Sequence, residues 1–218
     1  ESVDKEEIDK ILYRLEDQYN DINIVGTIKR RWWDVPSQIS LEQKFIRLGN
    51  SYHSTDEETA LRINNKYDIL LIVRNTDKCN TGFRNWDYKD ADHFAKTMYE
   101  QGYKIACVGL KESAHHIPYF TTDLRDLTLI DLCYIMHNKA KVIVGPQCGP
   151  IHLASLCGLQ QVTWQTKQEH RIRVEKSWNP FFTAVKTICP KDDLHWKNRT
   201  MFKPGFNLLC AYTTLGMK

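Results

Sequence analysis

The segment Val144–Leu156 reads Val-Gly-Pro-Gln-Cys-Gly-Pro-Ile-His-Leu-Ala-Ser-Leu and has the pattern of a strand that turns into a helix. Lys141 to Val144 predicts the end of a buried strand, and residues 145–149 predict a tight turn. Pro150 to Cys157 predicts a helix with Pro in its first turn and Gly158 just past its end. Such a turn brings backbone N–H groups and the positive end of a helix dipole to a sheet edge, so the expected chemistry is phosphate binding.

Polar side chains also follow the other predicted strands. Because the carboxyl ends of parallel strands meet at one crevice, we expect these residues to lie together. A nucleoside diphosphate needs cations and N–H donors at its phosphates and a carboxylate or amide at its ribose hydroxyls. The candidates are Arg74, Asn75 and Thr76 after the first strand, Lys111 and Glu112 after the second, and Gln147, Cys148 and Gly149 before the helix.

Alternating strands and helices must position these residues. Asp68 to Val73 is an apolar run of the kind that is buried on both faces of a parallel sheet. The alternation predicts an α/β fold, a Rossmann-like parallel sheet with helices on both faces. Its further elements are a helix capped by Asp87 and ended by Gly102, a strand from Lys104 to Val108, a helix started by Thr128 with Asp131, and a strand from Gln161 to Trp164.

The chain divides into three expected parts. Residues 1–66 form a helical and irregular arm, and Ile8, Ile11, Leu12 and Leu15 give its first helix an apolar stripe. Residues 67–190 form the Rossmann-like nucleotide-binding domain. Residues 191–218 are too apolar for a disordered linker, so we expect this tail to pack back on the domain.

Composition excludes several classes of protein. A chain of 218 residues with 42% apolar residues can bury a substantial core. Thirty Lys and Arg against 27 Asp and Glu leave a net charge of +3, which is too small for general electrostatic binding of nucleic acid. No apolar run approaches the ~18 residues of a membrane span, and the acidic start does not resemble a signal peptide. Seven cysteines without a Cys-x-x-Cys pair fit a cytoplasmic protein.

Three segments together resemble the C-terminal, nucleotide-binding half of GT-B glycosyltransferases, especially the heptosyltransferase-like group. They are Gly145 to Gly158, the preceding Asp123 to Leu129, and Thr81 to Trp86, which is similar to the Lys-x-Trp segment of that group. The similarity covers about residues 67–165. It implies a GT-B fold and transfer of a sugar from a nucleotide-diphosphate donor to the hydroxyl of a glycan acceptor, without a metal.

The resemblance also implies roles for single residues. Gln147 departs from the pattern, since the group usually has an acidic residue there. The identity of the donor sugar therefore cannot be carried over from that group. The residues carried over are Arg84, in the place of a phosphate-binding lysine, and the backbone around Gly149 for the diphosphate, His152 near it, Glu112 for the ribose hydroxyls, and Leu127 with Thr128 beside the base.

Only about 66 residues precede Tyr67, whereas a complete GT-B enzyme has an N-terminal Rossmann domain for its acceptor. We therefore expect a GT-B unit with a reduced N-terminal part, and neighbouring domains of a longer polypeptide as partners. The size also resembles the GT-B-like domain of large viral proteins that carry rhamnosyltransferase and methyltransferase domains in tandem, which implies UDP-rhamnose as the donor. Asp34 and His53 are the candidates for a catalytic base, because they lie on the possible acceptor side.

Several alternatives stay open beside the transferase. A noncatalytic nucleotide- or sugar-binding module would need the same residues. The mixture of cations and aromatics at residues 30–33 suits stacked bases of single-stranded nucleic acid, a sugar, or an ordinary loop.

Two other chemistries are disfavoured by the residues themselves. A nicotinamide-dependent oxidoreductase would need Gly-x-Gly-x-x-Gly after the first strand, where Arg74 to Lys78 stands instead. No metal site is expected. Asp90 and Asp92 point apart on a helix, and Cys148 with His152 lacks a second pair of closely spaced ligands.

Overall fold

The computed structural model describes residues 63–77, 82–177, 179, 181–190 and 202–217. The expected N-terminal arm, with its helix and the candidate bases Asp34 and His53, lies outside the described residues.

A parallel sheet of six strands forms the centre of the structure. Its strands in spatial order are β5 (Thr122–Arg125), β3 (Ile105–Gly109), β1 (Tyr67–Leu71), β6 (Ala140–Pro146), β7 (Gln160–Trp164) and β8 (Val185–Ile188). Counted among these six, the chain order is 3-2-1-4-5-6, the arrangement of a Rossmann sheet. The order reverses between β1 and β6, where Leu70 is paired with Ile143. This confirms the predicted fold class.

Helices cover both faces of the sheet. They are α1 (Tyr88–Glu100), α2 (Leu129–Asn138), α3 (Gly149–Cys157), the short α4 (Gln168–Ile172), which continues into a π-helical turn (Arg173–Ser177), and α5 (Phe206–Gly216). Alternate residues of β1 enter two separate cores. Ile69 and Leu71 pack with α1 and with Leu209 of α5, whereas Leu70 packs with α2 and α3.

The helix termini follow local sequence signals. The Asp87 carboxylate accepts from the N–H groups of Lys89 and Asp90 at the start of α1, and Thr128 accepts from that of Asp131 at the start of α2. Helix α3 ends on Gly158, whose φ of 72° is left-handed.

The structure departs from the sequence-based elements after the first strand. β1 ends at Leu71 instead of continuing to Val73, and β2 (Val73–Arg74) pairs antiparallel with β4 (Ala114–His115). The chain separates from the main sheet beside Gly145, which comes close to Ile72. β5, β8 and α4 have no counterpart among the expected elements. Among the described residues, no helix is both long enough and apolar enough to cross a bilayer.

Candidate functional site

The position of Arg84 depends on a buried tryptophan two residues later. Arg84 ends a 3₁₀ turn (Gly82–Arg84), and the backbone N–H of Trp86 donates to the carbonyl of Arg74. The Trp86 ring is 5% exposed, with its centroid 4.9 Å from that of Trp164 and 5.7 Å from that of Phe94. Truncation of a buried Trp to Ala costs on the order of 3–5 kcal/mol, so this packing holds the segment on the sheet.

Asn85 ties the same segment to β2. Its Oδ1 accepts from Nη1 of Arg74 at 2.5 Å and from the backbone N–H of Thr76 at 3.0 Å. Arg74 is 7% exposed, and its Nη1 also donates to the carbonyl of Thr76. Arg74 and Thr76, both expected to contact a ligand, therefore fix the loop that carries Arg84.

Gln147 and His152 meet at the start of α3. The Gln147 side chain is buried, and its Nε2 lies 2.6 Å from Nε2 of His152 and 3.2 Å from Nδ1. Oε1 of Gln147 is buried and has no hydrogen-bond partner among the described residues. Gln147, which precedes α3, is thereby linked to His152 in the first turn of that helix, and Oε1 of Gln147 is left to accept from a further donor.

The charge of Arg84 acts on the same helix terminus. Burial first, and the positive charge of Arg84 second, lower the pKa of His152 to about 3. The Nε of Arg84 is buried without a hydrogen-bond partner in the part of the chain that the structure describes. A buried guanidinium N–H is costly to leave unbonded, so it marks a place for an acceptor.

The beginning of α3 is open where a ligand would approach. Its N-cap residue, Cys148, makes no side-chain capping bond, in contrast to Asp87 of α1 and Thr128 of α2. A Cβ added to Gly149 would meet no atom within 4 Å. Helix dipole, guanidinium and open space therefore combine at one point, the switch point of the sheet.

The remaining candidates make contacts within their own loops and helices. The ammonium of Lys111 is 3.8 Å from the carboxylate of Asp126. Glu112 is exposed in the turn after β3, and the backbone N–H of Asn75 donates to the carbonyl of Ser113. Thr128 caps α2, and Leu127 packs against the core beneath that helix.

The Asp-x-Asp pair of α1 has a structural partner. Asp90 accepts from the ammonium of Lys203 at 2.9 Å, and Asp87 lies 3.8 Å from the same group. Within the described ranges, no group of three or more His, Cys, Asp or Glu side chains is placed to hold a metal ion.

Sequence reasoning missed two residues on which the site depends. Asn85 lies between Arg84 and Trp86, in the segment that resembles the glycosyltransferase pattern. Nothing in its residue type indicates that its side chain accepts a hydrogen bond from Arg74 of β2. Gly145 was taken as part of a turn, but it is the last residue but one of β6 and packs against Ile72. The Asn85 contact crosses a loop of about ten residues and the Gly145 contact joins two segments far apart in the sequence, and periodicity reports neither.

Comparison with known proteins places the fold. Neither the protein-family models nor the curated proteins compared with this sequence match it. The structure of a glycosyl transferase family 9 protein from Veillonella parvula matches with a TM-score of 0.54 and 12% identity, over 74% of this chain and 49% of that one. E. coli ADP-heptose LPS heptosyltransferase II matches with a TM-score of 0.53 and 10% identity, over 75% of this chain and 52% of that one.

The chain spans about half the length of these two proteins. At such identity the likeness shows the fold alone, a Rossmann-like α/β sheet that this chain shares with part of each of the two proteins. This agrees with the predicted fold class.

Proposed function

We propose that this chain binds the diphosphate of a nucleotide-sugar between Arg84 and the start of α3, as the donor-binding part of a glycosyltransferase. The observation that carries the proposal is the buried, unpartnered Nε of Arg84 beside a helix terminus that has no capping side chain. A diphosphate supplies acceptor oxygens for both. The likeness of the fold to glycosyltransferases supports the assignment.

The proposed reaction moves the sugar to an acceptor hydroxyl. As the bond from the sugar to the diphosphate breaks, negative charge develops on the leaving oxygen, and fixed donors stabilise it without reorganisation. One such donor contributes ~3 kcal/mol of barrier lowering, or ~100-fold in rate. Arg84 and the α3 terminus fill this role without a metal.

The acceptor must lose its proton to a general base within hydrogen-bond reach. Asp34 and His53 remain the proposed bases, and a neighbouring domain of a longer polypeptide is the alternative source. Glu112 and the Leu127–Thr128 edge are proposed for the ribose and the base. UDP-rhamnose is the proposed donor.

Calorimetry and thermal shift on the full chain test the proposal with UDP, GDP, ADP, CMP and dTDP, each with and without Mg²⁺. A ligand at 100 times its dissociation constant should raise the free energy of unfolding by ~2.7 kcal/mol. We expect one diphosphate to bind, CMP to bind less well, and Mg²⁺ to be dispensable. If no nucleotide and no nucleotide-sugar bound, the proposal would be wrong.

A noncatalytic binding module is the alternative that the same contacts allow. An assay of the bound nucleotide-sugar for hydrolysis or transfer separates the two. Binding without turnover would favour the module.

A further inference from the structure

The contact between Gln147 and His152 restricts the protonation of the imidazole. Gln147 is 5% exposed, and its amide nitrogen stands 2.6 Å from Nε2 of the ring. The same amide nitrogen is 3.2 Å from Nδ1. An amide nitrogen donates and does not accept, so the nearer ring nitrogen, Nε2, must carry a lone pair. An imidazolium, with a hydrogen on both nitrogens, would set two donors against each other. The contact therefore fits the neutral ring.

The electrostatic surroundings of His152 act in the same direction. The positive charge of Arg84 acts on the ring from the 3₁₀ turn. His152 also lies in the first turn of α3, where the positive end of the helix dipole disfavours a cation. From α2, which packs along α3, Asp131 is bonded to Thr128, and His137 contacts the carbonyl of Cys157 at the far end of α3.

We propose that Gln147 is a positioning residue that holds His152 as an uncharged imidazole with a fixed tautomer, so that the charge of the diphosphate site does not change with pH. The ligand in this inference rests on the proposed function, but the protonation of His152 is a property of the free protein. The lowered pKa of His152 agrees with it.

The neutral ring limits what His152 does during sugar transfer. With no extra proton at neutral pH, it does not act as a general acid on the leaving diphosphate. The positive charge at the site is that of Arg84 and the α3 terminus. Affinity for a diphosphate should accordingly stay constant where an ordinary histidine, with a pKa of about 6.5, would titrate.

NMR of the histidine ring nitrogens in the ¹⁵N-labelled full chain tests the proposal without any ligand. The signals of His152 are assigned with His152→Asn, and the other histidines serve as internal controls. We expect His152 to stay neutral, in one tautomer, from pH 8 to about 4.5. A wild-type His152 that titrates near 6.5 would overturn the inference.

Two variants separate the role of Gln147 from burial alone. Gln147→Glu introduces a carboxylate that accepts from the ring, so the pKa of His152 should rise by about 2 or more. Gln147→Leu removes the donor without adding charge, so the ring should stay neutral but lose its fixed tautomer. Retention of the same single tautomer in Gln147→Leu would show that burial suffices and would overturn the positioning role.

Calorimetry at pH 4.5 and pH 8 connects the ring to the ligand. UDP-rhamnose, UDP-glucose and GDP-mannose are suitable probes, because their esterified diphosphates keep a constant charge over this range. The wild type should bind its ligand within about twofold at the two pH values, whereas Gln147→Glu should bind about tenfold more weakly at pH 8. If none of the probes binds at either pH, the proposed function fails while the NMR result stands.

Discussion

A Cβ on Gly145 would lie 2.9 Å from both the Cβ and the carbonyl oxygen of Ile72. The two residues meet where the strand order reverses, and the N–H of Ile72 donates to the carbonyl of Val144 at 2.9 Å. Close approach of the backbones at this point sets the direction in which β6 continues into Gln147. The glycine therefore fixes the path of the chain that forms the diphosphate site.

Gly145→Ala should destabilise the protein, because backbone atoms of Ile72 cannot move aside as a flexible side chain would. We expect the free energy of unfolding to fall by about 1–3 kcal/mol, the usual cost of overpacking a buried site. Urea unfolding followed by circular dichroism measures this. Nucleotide binding should weaken in parallel, since the turn moves with β6.

Gly149→Ala is the matched control four residues away. A Cβ there meets no atom within 4 Å, and alanine is a good helix former, so stability should change by less than about 0.5 kcal/mol. The added methyl should still lower diphosphate affinity, by about tenfold, because it occupies the approach to the helix terminus. Equal loss of stability in the two variants would contradict the role given to Gly145.

Asn85→Ala should loosen Arg84 without touching the ligand. It removes the acceptor shared by Arg74 and Thr76, and a buried guanidinium that loses a partner costs about 1–3 kcal/mol. Urea unfolding should show this loss, and calorimetry should show weaker diphosphate binding. Asn85→Asp keeps an acceptor in place and should retain most of the stability. Wild-type affinity in Asn85→Ala would show that the segment needs no such tie.

Local sequence signals predicted the parts of the fold that depend on neighbours along the chain. The caps Asp87 and Thr128, the left-handed Gly158 and the apolar strands all follow from residue type and periodicity. β5, whose sequence is Thr-Asp-Leu-Arg, has no apolar run to identify it. Its stability comes from pairing with β3 and from an ion pair within the strand.

The site was only partly predictable for a related reason. The helix terminus at Gly149 and the cation Arg84 were both identified from the sequence, and the structure brings Arg84 close enough to act on His152. The side-chain pairing of Gln147 with His152 was not foreseen, because it requires both rotamers. Arg74 was expected in an open loop, but the short pairing of β2 with β4 buries it.

Arg84→Ala should weaken binding of the diphosphate by about 10- to 100-fold, the range for one charge-assisted hydrogen bond. Where transfer is measurable, its rate should fall by ~100-fold. Arg84→Lys keeps the charge without the Nε donor, and its affinity for the diphosphate should lie between those of the wild type and Arg84→Ala. Calorimetry and initial-rate assays measure these effects.

Lys111→Ala is the control for loss of a surface cation. Its ammonium is 60% exposed and 3.8 Å from Asp126, so its removal should change diphosphate affinity by less than about threefold. If Arg84→Ala bound the diphosphate as tightly as Lys111→Ala, Arg84 would not be part of the site.

Asp123→Asn should destabilise the protein at neutral pH and lose its effect in acid. The guanidinium of Arg125 binds both carboxylate oxygens of Asp123, at 2.8 and 2.9 Å, and also donates to the carbonyl of Ala114. Chiefly through the hydrogen bond to Arg125, the pKa of Asp123 is lowered from 3.8 to about 2. The ionised carboxylate therefore stabilises the fold above pH 3.8, and this contribution is lost as the pH falls towards 2. Because the side chain is 29% exposed, we expect a loss of about 1–2 kcal/mol at pH 7.

Urea unfolding at pH 7 and pH 2.5 measures the difference. Lys96→Ala, which breaks an exposed ion pair on α1, is the control and should change stability by under about 0.5 kcal/mol at either pH. A loss in Asp123→Asn that is equally large at pH 2.5 would mean that packing, and not the charge, makes this contribution.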